Sequence, residues 1–314
     1  MKKLAVVALG GNALLRDNQI GTIDQQERNT YKTCEKILTL IKKHYGIVIT
    51  HGNGPQVGNI LLRNEAGYEN YKIPKMPLDI CVADSQGGIG YMVERQMRNV
   101  LNDNKMRKNV VSLITQVLVD IKDPAFKNPS KPIGTFYLKV EADLLAKSND
   151  WIFREDVRKR GWRRIVPSPK PLKVMNQKII RELVDNGHIV IAVGGGGIPV
   201  YKHKDKYLEA IEAVIDKDRA SSLLAREIKA DALYIVTDVP KVYINYSKKG
   251  QKALDVITIS EARQYLKENQ FGSGSMRPKI LAAINFIKNG GKEAVITSEK
   301  ELEKKNGGTR IILG

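Results

Sequence analysis

The chain is poor in cysteine, in aromatic residues, in histidine and in long apolar runs, and each shortage closes off a class of function. Its two cysteines, Cys34 and Cys81, cannot build a disulfide scaffold and show neither a Cys-x-x-Cys motif nor metal-ligand spacing, so both are expected as reduced, buried thiols. Aromatic residues make up 6% of the 314 residues, too few for the stacking platforms that hold single-stranded nucleic acid. No stretch approaches the roughly 18 consecutive apolar residues of a membrane helix. The opening MKKLAVVALGGNAL has the charged and apolar parts of a secretion signal, but its apolar run breaks at Gly10 and Gly11. It reads as a first core strand, and a cytoplasmic location is expected. The four histidines, His44, His51, His188 and His203, form no HExxH pair, and no protein-built metal site is expected. GxxxxGK[ST], a strand-linked GxGxxG and the protein-kinase HRD and DFG set are also missing, which argues against P-loop and hydride-transfer enzymes.

What the chain does have is four apolar, strand-like stretches that run into glycine-rich or charged turns, at residues 4–12, 47–58, 189–197 and 232–238. The first three turns read GGN, HGNGPQVG and GGGG. Glycine lets backbone N–H groups approach an anion closely, and a helix starting after such a turn adds the positive end of its dipole. Several such turns predict one phosphate site, placed where strand carboxyl ends converge in an open parallel sheet.

Helical spacing of Tyr31, Cys34, Ile37, Leu38 and Ile41, with Gly46 as its stop, gives a βαβ unit over residues 4–50. Further strands are expected at 110–114, 189–193, 294–297 and 310–313. Helix faces are marked by Ile179, Ile180, Leu183 and Val184, by Ala220, Leu223, Leu224 and Ile228, and by Ile280, Leu281, Ile284 and Ile287. Gly187 and Gly290 are placed to close the first and last of these. The alternation predicts a three-layer αβα sandwich around an open, mainly parallel sheet. Residues 123–169, rich in proline and positive charge, break the rhythm and are expected to form a small protruding flap. The formal charge of +18 is spread along the chain. It reads as a solvated basic surface that draws small anionic substrates, with no specific nucleic-acid partner expected.

Short polar clusters follow the strands. Asp216, Lys217 and Asp218 precede a helix, where Asp218 reads as an N-cap with its neighbours as surface charges, or the three form part of a site. Residues 272–279, GSGSMRPK, also precede a helix and suit a backbone phosphate nest with Lys279 reaching in. Thr237 and Asp238 close a strand where ligands of open α/β sheets bind. His51 is either near the site or a satisfied loop histidine. Phosphoryl transfer needs donors and cations around an in-line array and little covalent chemistry from the protein. Lys131, Lys217 and Lys279 can supply the cations, the glycine turns the fixed N–H donors, and Asp216 can hold lysines in position. If the attacking oxygen belongs to a carboxylate or carbamate, it is already ionised and no general base is required.

These residues resemble the carbamate kinases of the amino-acid kinase fold. The match runs over nearly the whole chain: VALGGNAL (7–14), THGNGPQVG (50–58), SQGGIGY (85–91), TQ with VD (115–120), DPAFKNPSKPIG (123–134), GWRRIVPSP (161–169), GGGGIPV (194–200), EAVIDKD (212–218), LYIVTDV (233–239) and GSMRPK (274–279). The resemblance implies reversible transfer between ATP and carbamate, giving ADP and carbamoyl phosphate, with Mg²⁺ on the nucleotide. It also implies a place at the end of arginine breakdown by the arginine deiminase route, with ATP as the product made. By this analogy Gly10, Gly11, Asn12, Gly52 and Asn53 hold carbamate and the moving phosphoryl group. Lys131 closes over them from the flap, Lys217 and Lys279 stabilise charge between donor and acceptor phosphates, and Asp216 orients Lys217. Gly195, Gly196, Gly197, Thr237, Asp238, Tyr243 and Met276 line the nucleotide site. One domain over 1–314 is implied, with an acceptor-binding part at about 1–200, a nucleotide-binding part at about 201–314 and the flap inserted, in a homodimer.

Several positions depart from the family's pattern. Arg277 stands where a glycine is usual, implying either backbone strain or an additional phosphate-facing cation. Ala210 and Ile211 replace Gly-Val, Asp84 replaces an apolar residue, and 157–160 is more basic than usual. Two other readings remain: a kinase for a different small carboxylate on the same fold, and a catalytically silent relative that senses ATP or binds RNA.

Overall fold

All six residues of β1 (Leu4–Leu9) are buried, which suits the middle of a parallel sheet covered on both faces. The computed structural model describes residues 3–16, 19–156, 159–272, 275–304 and 306–314, and of Asn12 the backbone alone. After β1 come α1 (Ile23–Lys42), β2 (Gly46–His51), α2 (Gly54–Tyr71), α3 (Leu78–Asp103), β3 (Val110–Ser112) and β4 (Gln116–Leu118). The flap contributes β5 (Lys131–Tyr137), α4 (Lys139–Asn149), β6 (Ile152–Glu155) and β7 (Trp162–Val166). The chain continues through β8 (Lys173–Val174), α5 (Gln177–Asp185), β9 (Ile189–Ile191), β10 (Ile198–Lys202), β11 (Leu208–Ala210) and α6 (Lys217–Glu227). It closes with β12 (Ala232–Thr237), β13 (Val242–Ile244), β14 (Lys252–Leu254), β15 (Val256–Thr258), α7 (Ile259–Lys267), α8 (Met276–Lys288), β16 (Glu293–Ser298) and β17 (Thr309–Ile312).

The central sheet has the order β15-β17-β16-β12-β1-β2-β9-β3. Neighbours from β16 through β3 are parallel, while β17 runs antiparallel to β16. Period-two alternation splits its side chains between two cores. Leu4 and Val6 pack with α5, α6, α7 and α8, and Ala5, Val7 and Leu9 pack with α1 and α3. Each fully buried Val, Leu or Ile in these layers contributes about 1.5–3 kcal/mol relative to exposure. The result is the expected αβα sandwich, and the sheet delivers the carboxyl ends of β1, β2 and β12 to one edge.

The expected elements are present with ends shifted by a residue or two, and two turns differ from expectation. Helix α1 stops at Lys42, and Gly46 opens β2 instead; a Cβ there would lie 2.7 Å from Cγ1 of Val184 on α5. The GGGG turn starts no α-helix: Gly194–Gly196 forms one 3-10 turn that leads into β10. Of the three glycine turns, HGNG alone runs straight into an α-helix, α2.

Residues 131–166 leave the sheet as three antiparallel strands in the order β5-β7-β6, with α4 beside them. Ile133 and Val166 of this flap join Val57, Leu78, Cys81, Val82 and Val214 of the body in a small apolar cluster. Beside this cluster Gly58 on α2 approaches the flap closely: a Cβ there would lie 2.4 Å from Cα of Gly134 on β5. Cys34 and Cys81 are buried free thiols, and burial pushes the Cys81 thiol up to about 11. Among the described residues no helix is long and apolar enough to cross a membrane.

Candidate active site

The extended segment ahead of α6 ends in Asp216, whose side chain accepts the backbone N–H groups of Asp218 (3.0 Å) and Arg219 (3.2 Å) and so caps the helix. This cap fixes Lys217 and Asp218 as the first two residues of α6. Asp218 is 2% exposed, and its two carboxylate oxygens accept separately from Nζ of Lys217 at 2.5 Å and Nζ of Lys279 at 3.0 Å. Lys279 comes from the first turn of α8. The third lysine, Lys131 at the start of β5, pairs with Asp216 at 2.8 Å. The three lysines from flap, α6 and α8 are therefore brought together through two carboxylates.

Burial works against every charge in this group. It would raise the carboxyl of Asp218, but Lys217 and Lys279 hold it well below the usual carboxylate range. For Lys217, burial and the like charge of Lys279 prevail over Asp218 and lower its pKa. For Lys279 the balance tips the other way, and Asp218 with Asp216 and Asp238 raises it against burial. Burial also pushes Asp216 upward, and Lys131 more than offsets this. The sequence leaves Asp218 open as an N-cap or a site residue, and makes Asp216 a residue that holds lysines in position and, by analogy, orients Lys217. Asp216, not Asp218, is the cap, and it pairs with Lys131 instead of orienting Lys217; Asp218 holds Lys217. The reason is helix register, because only a residue one step outside the helix can reach the free N–H groups of the first turn.

The glycine turns lie against this cluster. The aliphatic stem of Lys217 passes over Gly52, where a Cβ would be 3.5 Å from its Cδ. Gly10 sits tightly beside the end of β12, and Gly11 follows on the open side. The Asn12 side chain lies outside the described residues. Asn53, 4% exposed, donates from Nδ2 to Oγ of Ser85 at 2.8 Å. Behind it, Gly195 has φ +65°, and a Cβ there would strike Nδ2 of Asn53 at 2.2 Å. Gly195, Gly196 and Gly197 are buried behind Asn53, Ile215 and Val117, so their lack of side chains serves packing around the site. His51 is both near the site and satisfied: its Nδ1–H donates to the Gly52 carbonyl at 3.0 Å, and burial lowers its pKa to about 4. Thr50 donates to Ser221 at 2.6 Å, and Ser221 in turn donates to the Lys217 carbonyl, which ties β2 to α6.

Thr237 and Asp238 end β12, with Thr237 Oγ1 donating to Asp238 at 3.0 Å. They line a cleft with Arg16, Ser298, Glu299 and Lys300 whose described lining includes neither Tyr243 nor Met276. Tyr243 lies on β13 with its ring 5.8 Å from that of Tyr246, and Met276 opens α8 against the core.

Arg277 lies inside α8 and is not among the positive-φ residues, so its backbone is unstrained. Its Nη1 donates to the Leu266 carbonyl on α7 at 3.2 Å, so it is not a phosphate-facing cation here. Ser273 and Gly274 of the expected phosphate nest, and Val157 and Arg158 of the basic stretch, lie outside the described residues. Asp84 is exposed on α3. Sequence reasoning missed Asp218 as the centre of the cluster, and Ser85, Gln86 and Thr115 as its supports. Gln86 accepts from Thr115 N at 2.8 Å and donates to Thr115 O at 3.2 Å, while Thr115 Oγ1 accepts from Val193 N. The available signal was Ser85 and Gln86 on an otherwise apolar helix face.

The sheet, the strand-end cleft and the lysine cluster together suit phosphoryl transfer, which asks for fixed cations around the moving group. The model of the Amino acid kinase family matches residues 3–298, and the chain belongs to that family. A carbamate kinase of Pyrococcus horikoshii is 48% identical over 310 residues, covering 98% of both chains. The solved structures of carbamate kinase from Giardia lamblia, one bound to citric acid and one to AMP-PNP, are 44% identical. They superpose with TM-scores of 0.92 and 0.91 and cover 100% of this chain and 99% of theirs. Within its family, then, the chain groups with the carbamate kinases, and it is an enzyme of the kinase class.

Proposed function

We propose that the chain transfers a phosphoryl group reversibly between MgATP and carbamate, giving ADP and carbamoyl phosphate, and that it runs chiefly toward ATP at the end of arginine breakdown. The observation that carries this reading is the Asp218 carboxylate held by both Lys217 and Lys279. Fixed cations of this kind stabilise charge on a phosphoryl group in flight. Burial lowers the basicity of His51 and its Nδ1–H is committed to Gly52, so it is a weak base here. A carbamate oxygen needs none, because it is already ionised.

In this reading Gly10, Gly11, Asn12, Gly52 and Asn53 hold carbamate and the transferring phosphoryl group. Lys217 and Lys279 neutralise charge between donor and acceptor, Lys131 covers it from the flap, and Asp216 holds Lys131. Thr237, Asp238, Tyr243 and Met276 take the nucleotide, with Gly195, Gly196 and Gly197 backing the site. Residues 1–200 then serve mainly the acceptor and 201–314 mainly the nucleotide. Mg²⁺ arrives on the nucleotide, since both oxygens of Asp218 are engaged by lysines. The AMP-PNP complex of the Giardia relative supports nucleotide binding in this fold. We further infer a cytoplasmic homodimer, consistent with two buried free thiols.

The test is a comparison of carbamate with acetate, glutamate and aspartate as acceptors for MgATP. Carbamate is expected to be the preferred acceptor, and preference for an amino acid would overturn the assignment. Salt-dependent RNA binding with no turnover of any acceptor would instead identify a non-catalytic relative.

A further inference from the structure

The segment 212–216, which delivers Asp216 and α6, meets the flap with every second residue. Glu212 pairs with Arg164 on β7, Val214 packs with Ile133 and Val166, and Asp216 pairs with Lys131 on β5. Between them the Val214 N–H donates to the Pro167 carbonyl at 3.0 Å. The intervening Ile215 points the other way, into the main core. An extended backbone gives this alternation directly. The flap is thus fastened to one short strand-like segment by an ion pair at each end and an apolar contact in the middle.

Of the two ion pairs, the Arg164 end has the firmer seat. Arg164 is 7% exposed, and its guanidinium lies 4.0 Å from the centroid of the Trp151 ring, while Glu212 is exposed. Stacking and a planar fork make this arginine hard to replace by lysine. Arg164 is also register partner to Ile133, two residues from Lys131 on the adjoining strand. A shift of Arg164 relative to Glu212 therefore moves β5 along 212–216 and carries the Lys131 ammonium with it.

We infer that Arg164 and Glu212 are positioning residues for phosphoryl transfer: their pair sets the register of the flap on 212–216 and so places Lys131 over the site. The inference rests on the function proposed above. Neither residue touches the site, so the effect passes through Lys131.

The test is steady-state ATP formation from MgADP and carbamoyl phosphate by wild type, Glu212→Gln, Arg164→Lys, Lys131→Ala and the double variant Glu212→Gln/Lys131→Ala. Glu212 is exposed, so its replacement leaves the core intact. Each of the first two variants is expected to lower kcat about tenfold with little change in KM for MgADP, as misplacement of one charged group would. Glu212→Gln is expected to have no further effect once Lys131 is removed. Wild-type kcat in both Glu212→Gln and Arg164→Lys, or the same fold loss with and without Lys131, would overturn the inference while leaving the proposed function standing. Wild-type turnover in Lys131→Ala would overturn the site assignment itself, and this inference with it.

Discussion

Asp218 is buried with both oxygens occupied by ammonium groups, and a buried carboxylate of this kind depends on such partners for its charge. Replacing it by Asn leaves Lys217 and Lys279 facing each other with one countercharge gone. Turnover of Asp218→Asn is expected to fall by at least ~10²-fold, read from kcat of ATP formation. Because burial lowers the pKa of Lys217, its charge is lost as pH rises through a value below the ordinary 10.5. The alkaline limb of kcat should therefore lie below that value, and should move upward in an active Lys217→Arg variant. His51 gives a stability prediction of definite sign. In the unfolded chain it protonates near 6.5, but in the fold only near 4, so between those values the unfolded state binds more protons. The His51 contribution to stability should fall as pH drops through that window, by about 3 kcal/mol at most, and level off below it, while the lowered carboxyls of Asp216 and Asp218 go on costing stability in stronger acid. Urea unfolding at a series of pH values checks this, with a flatter profile expected for His51→Asn.

At the scale of elements, the close approach of α2 to β5 leaves no room for a side chain at Gly58. Gly58→Ala places a methyl group 2.4 Å from the Gly134 backbone, too close to be accepted without moving the flap strand. Overpacking of this kind costs about 1–3 kcal/mol. Both Tm and kcat are expected to fall, the latter because Lys131 moves with β5. Arg277 gives the opposite expectation: it already sits in helical geometry, so Arg277→Gly relieves no strain. That variant should lose about 1 kcal/mol of stability from helix propensity, measured by denaturant unfolding, with near-unchanged turnover. These elements also show what sequence reveals. Helix α1 and strands β1, β2 and β12 were legible because apolar periodicity is a local signal. The destination of the GGGG turn was not, because a buried 3-10 turn and an anion nest call for the same glycines. Which of Asp216 and Asp218 caps α6 turns on a one-residue helix register that composition does not set. Contacts such as Gly58 with Gly134, or Gln86 with Thr115, join segments far apart in the chain and leave no local trace.

Over the whole molecule, the formal charge of +18 gives a field that draws small anions toward the protein. The kcat/KM for carbamoyl phosphate is therefore expected to decline as ionic strength rises, with kcat changing less, in a salt titration. The fold class was readable from the alternation of strands and helices, and the lysine trio from motif order. Assembly of those lysines around two neighbouring carboxylates, Asp216 and Asp218, became visible only when flap, α6 and α8 were placed together. That assembly is the central claim, and it is tested most directly by measuring ATP formation from MgADP and carbamoyl phosphate with the purified protein beside its Lys217→Ala variant. Rapid ATP formation, reduced at least ~10²-fold in a variant that remains folded, is the predicted result. No ATP above the spontaneous background from folded wild-type protein, or equal rates from both proteins, would contradict it.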